Sequence, residues 1–156
     1  VQLQLKRLTL AELVGQDPVL AASALLKALP PPLQTEFLSN GTLRRVGSQA
    51  SIFHKGDMVG PLYLVLRGEV RLINGEGVEV ARVIKGEFFG ESELLVPGTA
   101  RRGGAEAATD VDFAEFAPDY VTRMLMRAPS LRILLGRVDA ERTRAHSELD
   151  DFLNRW

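Results

Sequence analysis

The chain contains no cysteine, which excludes disulfides, thiol nucleophiles and thiolate metal sites. Its two histidines, His54 and His146, lie far apart in the sequence, so neither a metal cluster nor a histidine relay is supported. Long apolar runs are lacking as well: Leu62 to Leu66 is among the longest, whereas a membrane-spanning helix needs about 20 such residues. Charge of one sign is not in excess, since 19 Lys and Arg face 20 Asp and Glu for a formal net charge of -1. No global field therefore draws in nucleic acid or an anionic membrane. The first residues, Val-Gln-Leu-Gln-Leu-Lys-Arg, lack the basic start and long apolar centre of a secretory signal. A chain that opens on valine is expected to be a cytoplasmic module cut from a longer protein.

What is present suits one globular domain with a sizeable core: 156 residues, 46% hydrophobic and 25% charged. Residues from Leu8 to Phe37 read as helical, with Leu10, Leu13 and Val14 as one apolar stripe and Val19, Leu20, Leu25, Leu26 and Leu29 as another. Asp17-Pro18 predicts a helix start, aspartate at the N-cap and proline at the first position. Pro30-Pro31-Pro32 is expected to stop that helix, with a short one from Leu33 to Leu38 ending near Asn40-Gly41. Thr42 to Phe116 reads as β, in short alternating runs between glycine-bearing turns. Tyr63, Val65, Val70 and Leu72 supply the period of two, and Asn74-Gly75-Glu76-Gly77 predicts a hairpin turn before Val78 to Val83. Helix resumes at Ala117-Pro118-Asp119, and after Pro129-Ser130 a long final helix runs to Trp156.

Within the β region one stretch carries chemistry. Gly86-Glu-Phe-Phe-Gly90-Glu91-Ser92-Glu93-Leu94-Leu95 ends an apolar strand, turns at glycine, presents a carboxylate and starts a short helix, and Arg101-Arg102 follows. Glycine lets the backbone approach a ligand, and the first N–H groups of a helix are donors carrying positive dipole charge. The Glu91 carboxylate can accept hydrogen bonds from ribose hydroxyls, and Arg101 can pair with a phosphate through two parallel bonds. Glu91-Ser92-Glu93 does bring two carboxylates close in sequence, but no nucleophile accompanies them, and no enzymatic activity is expected.

This order resembles the cyclic nucleotide-binding domain family, as in the regulatory domains of catabolite activator proteins and of cyclic AMP-dependent kinase regulatory subunits. Phe89-Gly90-Glu91 and Leu94-Leu95 match the first half of the family's phosphate-binding cassette, and counting back from Ala107 places its arginine at Arg101. A turn one residue longer at Pro97-Gly98 gives that role to Arg102 instead. Outside the cassette, Ile52-Phe-His-Lys-Gly-Asp57 and Leu62-Tyr-Leu-Val-Leu-Arg-Gly68-Glu-Val-Arg-Leu72 look like the family's strand, glycine turn and strand succession, and His54 reads as a strand-face residue. The resemblance covers about Leu25 to Val138. It implies a mainly β fold with flanking α, a jelly-roll β-barrel of cyclic nucleotide-binding type with N-terminal helices and a long C-terminal helix. The divisions it implies are a helical extension over 1–24, the barrel with its cassette helix over 25–128, and a C-terminal amphipathic helix over 129–156.

By the same resemblance the ligand is a cyclic nucleotide, cyclic AMP or else cyclic GMP, with no metal, held by Gly90, Glu91, Ser92, Glu93, Arg101 and Arg102. The C-terminal helices then report occupancy to an attached or partner effector. Two departures point the other way. Glu93 stands where the family has a small residue whose N–H faces the phosphate, a cost of about 1 kcal/mol to an anion there, and Gly103-Gly104 replaces small apolar and hydroxyl residues. The alternative is a degenerate, nucleotide-free domain serving as a dimerisation or protein-interaction scaffold. Either reading accommodates Leu131, Leu135, Val138, Arg142, Ala145, Leu149, Phe152 and Trp156, whose spacings of four and three form a coiled-coil seam and predict a homodimer through 131–156. A transcription activator is not expected: no helix-turn-helix is seen, and nucleic-acid binding and membrane association are assigned to no part of this chain.

Overall fold

The structure, a computed structural model, describes residues 9–58, 60–96 and 98–154. Among the described residues four short helices come first, α1 (Leu10–Gln16), α2 (Pro18–Ala21), α3 (Ala24–Lys27) and α4 (Pro31–Ser39). Eight strands follow: β1 (Thr42–Val46), β2 (Ser51–Phe53), β3 (Leu62–Arg67), β4 (Val70–Ile73), β5 (Glu79–Val83), β6 (Phe88–Phe89), β7 (Gly104–Ala107) and β8 (Val111–Phe116). The single-turn α5 (Ser92–Leu95) lies between β6 and β7, and α6 (Pro118–Arg127) and α7 (Pro129–Asn154) complete the fold. The strands form two four-stranded antiparallel sheets, ordered β1-β8-β3-β6 and β2-β7-β4-β5. This is the jelly-roll type read from the sequence, built as two facing sheets rather than as a hydrogen-bonded closed barrel.

Sheet β1-β8-β3-β6 is covered on both faces, and the alternation along its strands divides the core in two. Leu62, Leu64 and Leu66 of β3, with Ala114 and Phe116 of β8, pack beneath the helices beside Leu25, Phe37, Leu131 and Leu135. Tyr63 and Val65, with Val111 and Phe113, point the other way and meet Val70, Val83, Ala105 and Ala107 of the second sheet. Side chains two apart on a strand share a face, so one strand serves both cores. Gly68 makes the β3 to β4 turn at φ +87, and a Cβ there would lie 2.1 Å from the Asp110 carbonyl oxygen. Asn74 closes the β4 to β5 hairpin, its Oδ1 accepting from the N–H groups of Glu76 and Val78 at 2.9 and 3.0 Å.

Several helical expectations change in detail. The start at Asp17 holds, its Oδ1 accepting from the Val19 and Leu20 N–H groups at 3.0 and 3.3 Å. The helix beyond it breaks at Ser23, whose hydroxyl donates to the Gly86 carbonyl at 2.8 Å and accepts from the Leu25 N–H as the cap of α3. Pro31 and Pro32 open α4 instead of merely stopping its predecessor, because the first helical N–H groups have no intrahelical partner to lose. Val19 faces outward at 53% exposure, while Leu10, Val14 and Leu20 join the core under the helices. His54 lies just past the end of β2 and is exposed, its backbone N–H donating to Asp57.

The seam on α7 is divided. Leu131 and Leu135 are fully buried against this chain's own core and Val138 packs beside them, so the first part of the predicted dimer seam serves intramolecular docking. An apolar stripe of this spacing satisfies either use, and here the nearer surface takes it. Leu8 and Trp156 lie outside the described residues.

Phe37 of α4 stacks on Phe116 of β8 at 4.1 Å, and α4 is joined to α6 by the Phe37 and Tyr120 rings, 6.0 Å apart, and by a polar cluster on Glu36. Tyr120 donates its hydroxyl to Glu36 at 3.1 Å, and Arg127 donates at 2.7 and 3.2 Å. Burial, followed by the Glu36 carboxylate, pushes the Tyr120 phenol from 10.0 up to about 12. Above pH 10 the unfolded chain releases this proton while the folded chain retains it. Stability present below pH 10 is therefore lost as pH rises through about 12. Tyr63, also raised by burial, adds to the loss. Thermal melts across this range are expected to show a shallower decline for Tyr120→Phe than for the unmutated chain, and parallel curves would contradict the assignment.

Candidate functional site

The cassette begins where β6 pairs with β3, Phe88 opposite Leu64 and Phe89 opposite Tyr63. Phe88 enters the core under the helices and Phe89 enters the core between the sheets, so the chain leaving this strand is held on both sides. Gly90 then turns at φ +88, and a Cβ there would lie 2.8 Å from the Pro61 carbonyl oxygen. No other residue fits that approach. Glu91 occupies the N-cap position of α5, and Leu94 anchors the single turn in the core.

Glu91 is 2% exposed. Both of its carboxylate oxygens accept from Arg142 Nη1, at 3.0 and 2.9 Å, while Arg142 Nη2 donates to the Phe88 carbonyl at 2.8 Å. Burial pushes the Glu91 carboxyl above its usual range, and the Arg142 guanidinium works against that rise. Arg142 is thus the cation that opposes protonation of this buried carboxyl.

Arg101 is equally buried, at 2% exposure, and does not face solvent. Its Nη1 donates to Glu93 Oε1 at 2.7 Å and to the Gly90 carbonyl at 3.0 Å, and its Nη2 donates to the Pro61 carbonyl at 3.0 Å. The guanidinium lies 4.1 Å from the centre of the Phe53 ring, a cation–π contact, and its Nε is buried with no protein partner. Arg102 takes a different course: Nη2 donates to Asp139 Oδ1 at 3.2 Å and Nη1 reaches Thr143 Oγ1. Ser92 donates its hydroxyl to the same Asp139 oxygen.

All six residues predicted for the site are thus brought together, and each polar side chain among them already has a partner within the chain. Three carboxylates, Glu91, Glu93 and Asp139, match three guanidinium groups, Arg142, Arg101 and Arg102. Between them remains a cavity of about 40 Å³ bounded by Phe53, Leu72, Gly90, Glu91, Arg102 and Arg142. Small-molecule pockets are typically about 300–1,000 Å³, so this space, with Arg142 of α7 on its wall, is too small for a nucleotide. Among the described residues no group of three or more His, Cys, Asp or Glu is placed to hold a metal ion, and no helix is long and apolar enough to cross a membrane.

Sequence reasoning missed Asp139, Thr143, Pro61 and Phe53. Arg142 shows up in the sequence as a charged residue on an apolar seam, of a kind that in related domains faces the ligand or a partner carboxylate, and the carboxylate it meets lies 51 residues earlier. Asp139, Arg142 and Thr143 fall three and four apart, which sets them on one face of α7.

A family model described as a cyclic nucleotide-binding domain matches residues 43–128. A lysophospholipase from Chaetomium globosum is 31% identical over 105 residues, covering 65% of this chain and 7% of the enzyme. The cAMP-activated global transcriptional regulator of Salmonella typhimurium is 24% identical over 116 residues, covering 72% of this chain and 55% of the regulator. Among solved structures, the regulatory subunit of a cAMP-independent protein kinase A from Trypanosoma cruzi, bound to guanosine, has a TM-score of 0.74 at 19% identity, covering 90% of this chain and 50% of that one. The chain therefore spans a small part of the first relative and about half of the other two.

Removing one partner of a buried ion pair leaves an uncompensated charge and costs about 3–5 kcal/mol. Arg142→Met does this to Glu91, although lifting of α7 returns the carboxylate to water and recovers part of the loss. The expected result is a lowered melting temperature together with faster amide exchange from Asp139 onward. An unchanged melting temperature with unchanged exchange would show that the contact does not hold the helix.

Proposed function

The chain belongs to the cyclic nucleotide-binding domain family, and we propose that it is a ligand-gated regulatory module. Its cassette takes a ribose-bearing ligand, cyclic AMP and cyclic GMP being the candidates that the family suggests, and α7 reports occupancy. The observation that carries this reading is the Arg142 bond to Glu91. The carboxylate suited to ribose hydroxyls is the one that holds the C-terminal helix, so ligand and helix compete for it.

In the proposed cycle the ribose hydroxyls replace Arg142 on Glu91, and Arg102 leaves Asp139 for the ligand. α7 then loses its polar contacts beyond Val138 while Leu131 and Leu135 remain anchored. This is a population shift: ligand favours the lifted helix, and by reciprocity whatever holds the helix lifted strengthens ligand binding. An attached effector, or a second copy meeting the released end in a homodimer, would read the change. Such a dimer uses the helix beyond Val138, since the earlier seam residues are committed to the core. A cytoplasmic setting belongs to this reading.

The relatives lend support of two kinds. One is named for activation by cAMP and another is described as cAMP-independent and bound to guanosine, so ribose-bearing ligands with and without a phosphate are both apt. The lysophospholipase match covers 7% of that enzyme, and no catalysis is assigned to this chain. The second reading, a nucleotide-free scaffold, is favoured by one observation, the Glu93 carboxylate already on Arg101.

Titration calorimetry combined with amide exchange separates the two readings. Ligand binding is expected to release heat and to speed exchange beyond Val138, with affinity falling about 10- to 100-fold in Glu91→Ala, the loss of hydrogen bonds to a charged group. No heat with any ribose-bearing ligand, and a melting temperature that rises only with protein concentration, would establish the scaffold instead.

A further inference from the structure

Resting on the ligand-gated reading, we propose that Glu93 makes the pocket selective for an uncharged ribonucleoside over the corresponding cyclic nucleotide. The argument starts from charge. The cassette itself carries Glu91, Glu93, Arg101 and Arg102, two negative and two positive, and this balance persists when α7 lifts and removes Asp139 and Arg142 together. Without Glu93 the cassette would carry one net positive charge, the complement of a cyclic phosphate. With Glu93 it carries none.

Geometry makes that balance local. Glu93 and Arg101 are 7% and 1% exposed at their side chains and 2.7 Å apart, so water screens them little. A phosphate that approached Arg101 would come within a few ångströms of the Glu93 carboxylate. A phosphate that displaced it would leave a buried carboxylate with no cation. Leu94, the next residue on the single helical turn, is fixed in the core and so fixes the backbone from which Glu93 reaches Arg101.

An uncharged nucleoside needs neither event. Glu91 presents two oxygens that converge on one nitrogen of Arg142, an arrangement that two adjacent hydroxyl groups of a ribose can take over. Arg101 stays on Glu93 and keeps its positions against Gly90, Pro61 and Phe53. The side chain that the cassette order offers as the phosphate ligand is then a structural cation, and the vicinal diol is what the pocket recognises.

The test is calorimetry on the unmutated chain with adenosine, guanosine, 2′-deoxyadenosine, cyclic AMP and cyclic GMP. Each nucleoside is expected to bind at least about 10-fold more tightly than its cyclic nucleotide, and 2′-deoxyadenosine at least about 10-fold more weakly than adenosine. Glu93→Ala is expected to raise cyclic nucleotide affinity by about 100-fold or more, with nucleoside affinity changed less than about 3-fold. Glu93→Gln, which keeps the volume, gives the same ordering if the alanine variant does not fold. A cyclic nucleotide bound by the unmutated chain as tightly as its nucleoside overturns this selectivity and leaves ligand gating intact. Binding of none of these ligands to any of the proteins overturns the gating reading, and the selectivity with it.

Discussion

A carboxylate cut off from water must keep a cation close, and at Glu91 that requirement fixes how the C-terminal half of the molecule is arranged. The cation is Arg142, on the far side of the sequence. To bring it there α7 must lie across the cassette, and once it does, Asp139 and Thr143 meet Ser92 and Arg102. The small remaining cavity follows from the same contact. Apolar docking of Leu131 and Leu135 sets where the helix begins its run, but it does not decide what the later turns cover.

The two-faced sheet supplies the rigidity against which that contact works. β3 sends alternate side chains into separate cores, and β6 repeats the pattern in two residues, Phe88 toward the helices and Phe89 toward the second sheet. The Phe88 carbonyl, fixed by this strand, is also an acceptor for Arg142. The loop after β6 is therefore framed by packed aromatic side chains, and α5, although only one turn, is held by Leu94. Small displacements in such a frame are costly because close-packed interiors deform little.

The sequence makes local features plain because they depend on neighbours. The Asn74 hairpin, the Asp17 cap, the alternation of β3 and the glycine at position 90 each follow from a few adjacent residues and a backbone rule. What it does not disclose are choices between equivalent partners. Glu93 reads as an acid near an anion site, and only the fold shows that Arg101, eight residues on, has turned inward to meet it. The seam on α7 carries a periodicity that serves a partner helix or a neighbouring sheet equally well. Ser23 interrupts a helix that propensity would continue, because a carbonyl 63 residues away receives its hydroxyl.

The face shared by Asp139, Arg142 and Thr143 gives α7 a rotational phase as well as a position. Successive residues of an α-helix are turned by about 100°. Inserting one residue between Leu135 and Asp139 would leave the apolar anchor seated and swing all three polar groups away from the cassette. Inserting three or four together would nearly restore their heading, though about one turn further along. Length in this segment therefore behaves as an angle, and chains of this fold that differ there by one residue would differ in whether the helix and the pocket can sense one another at all.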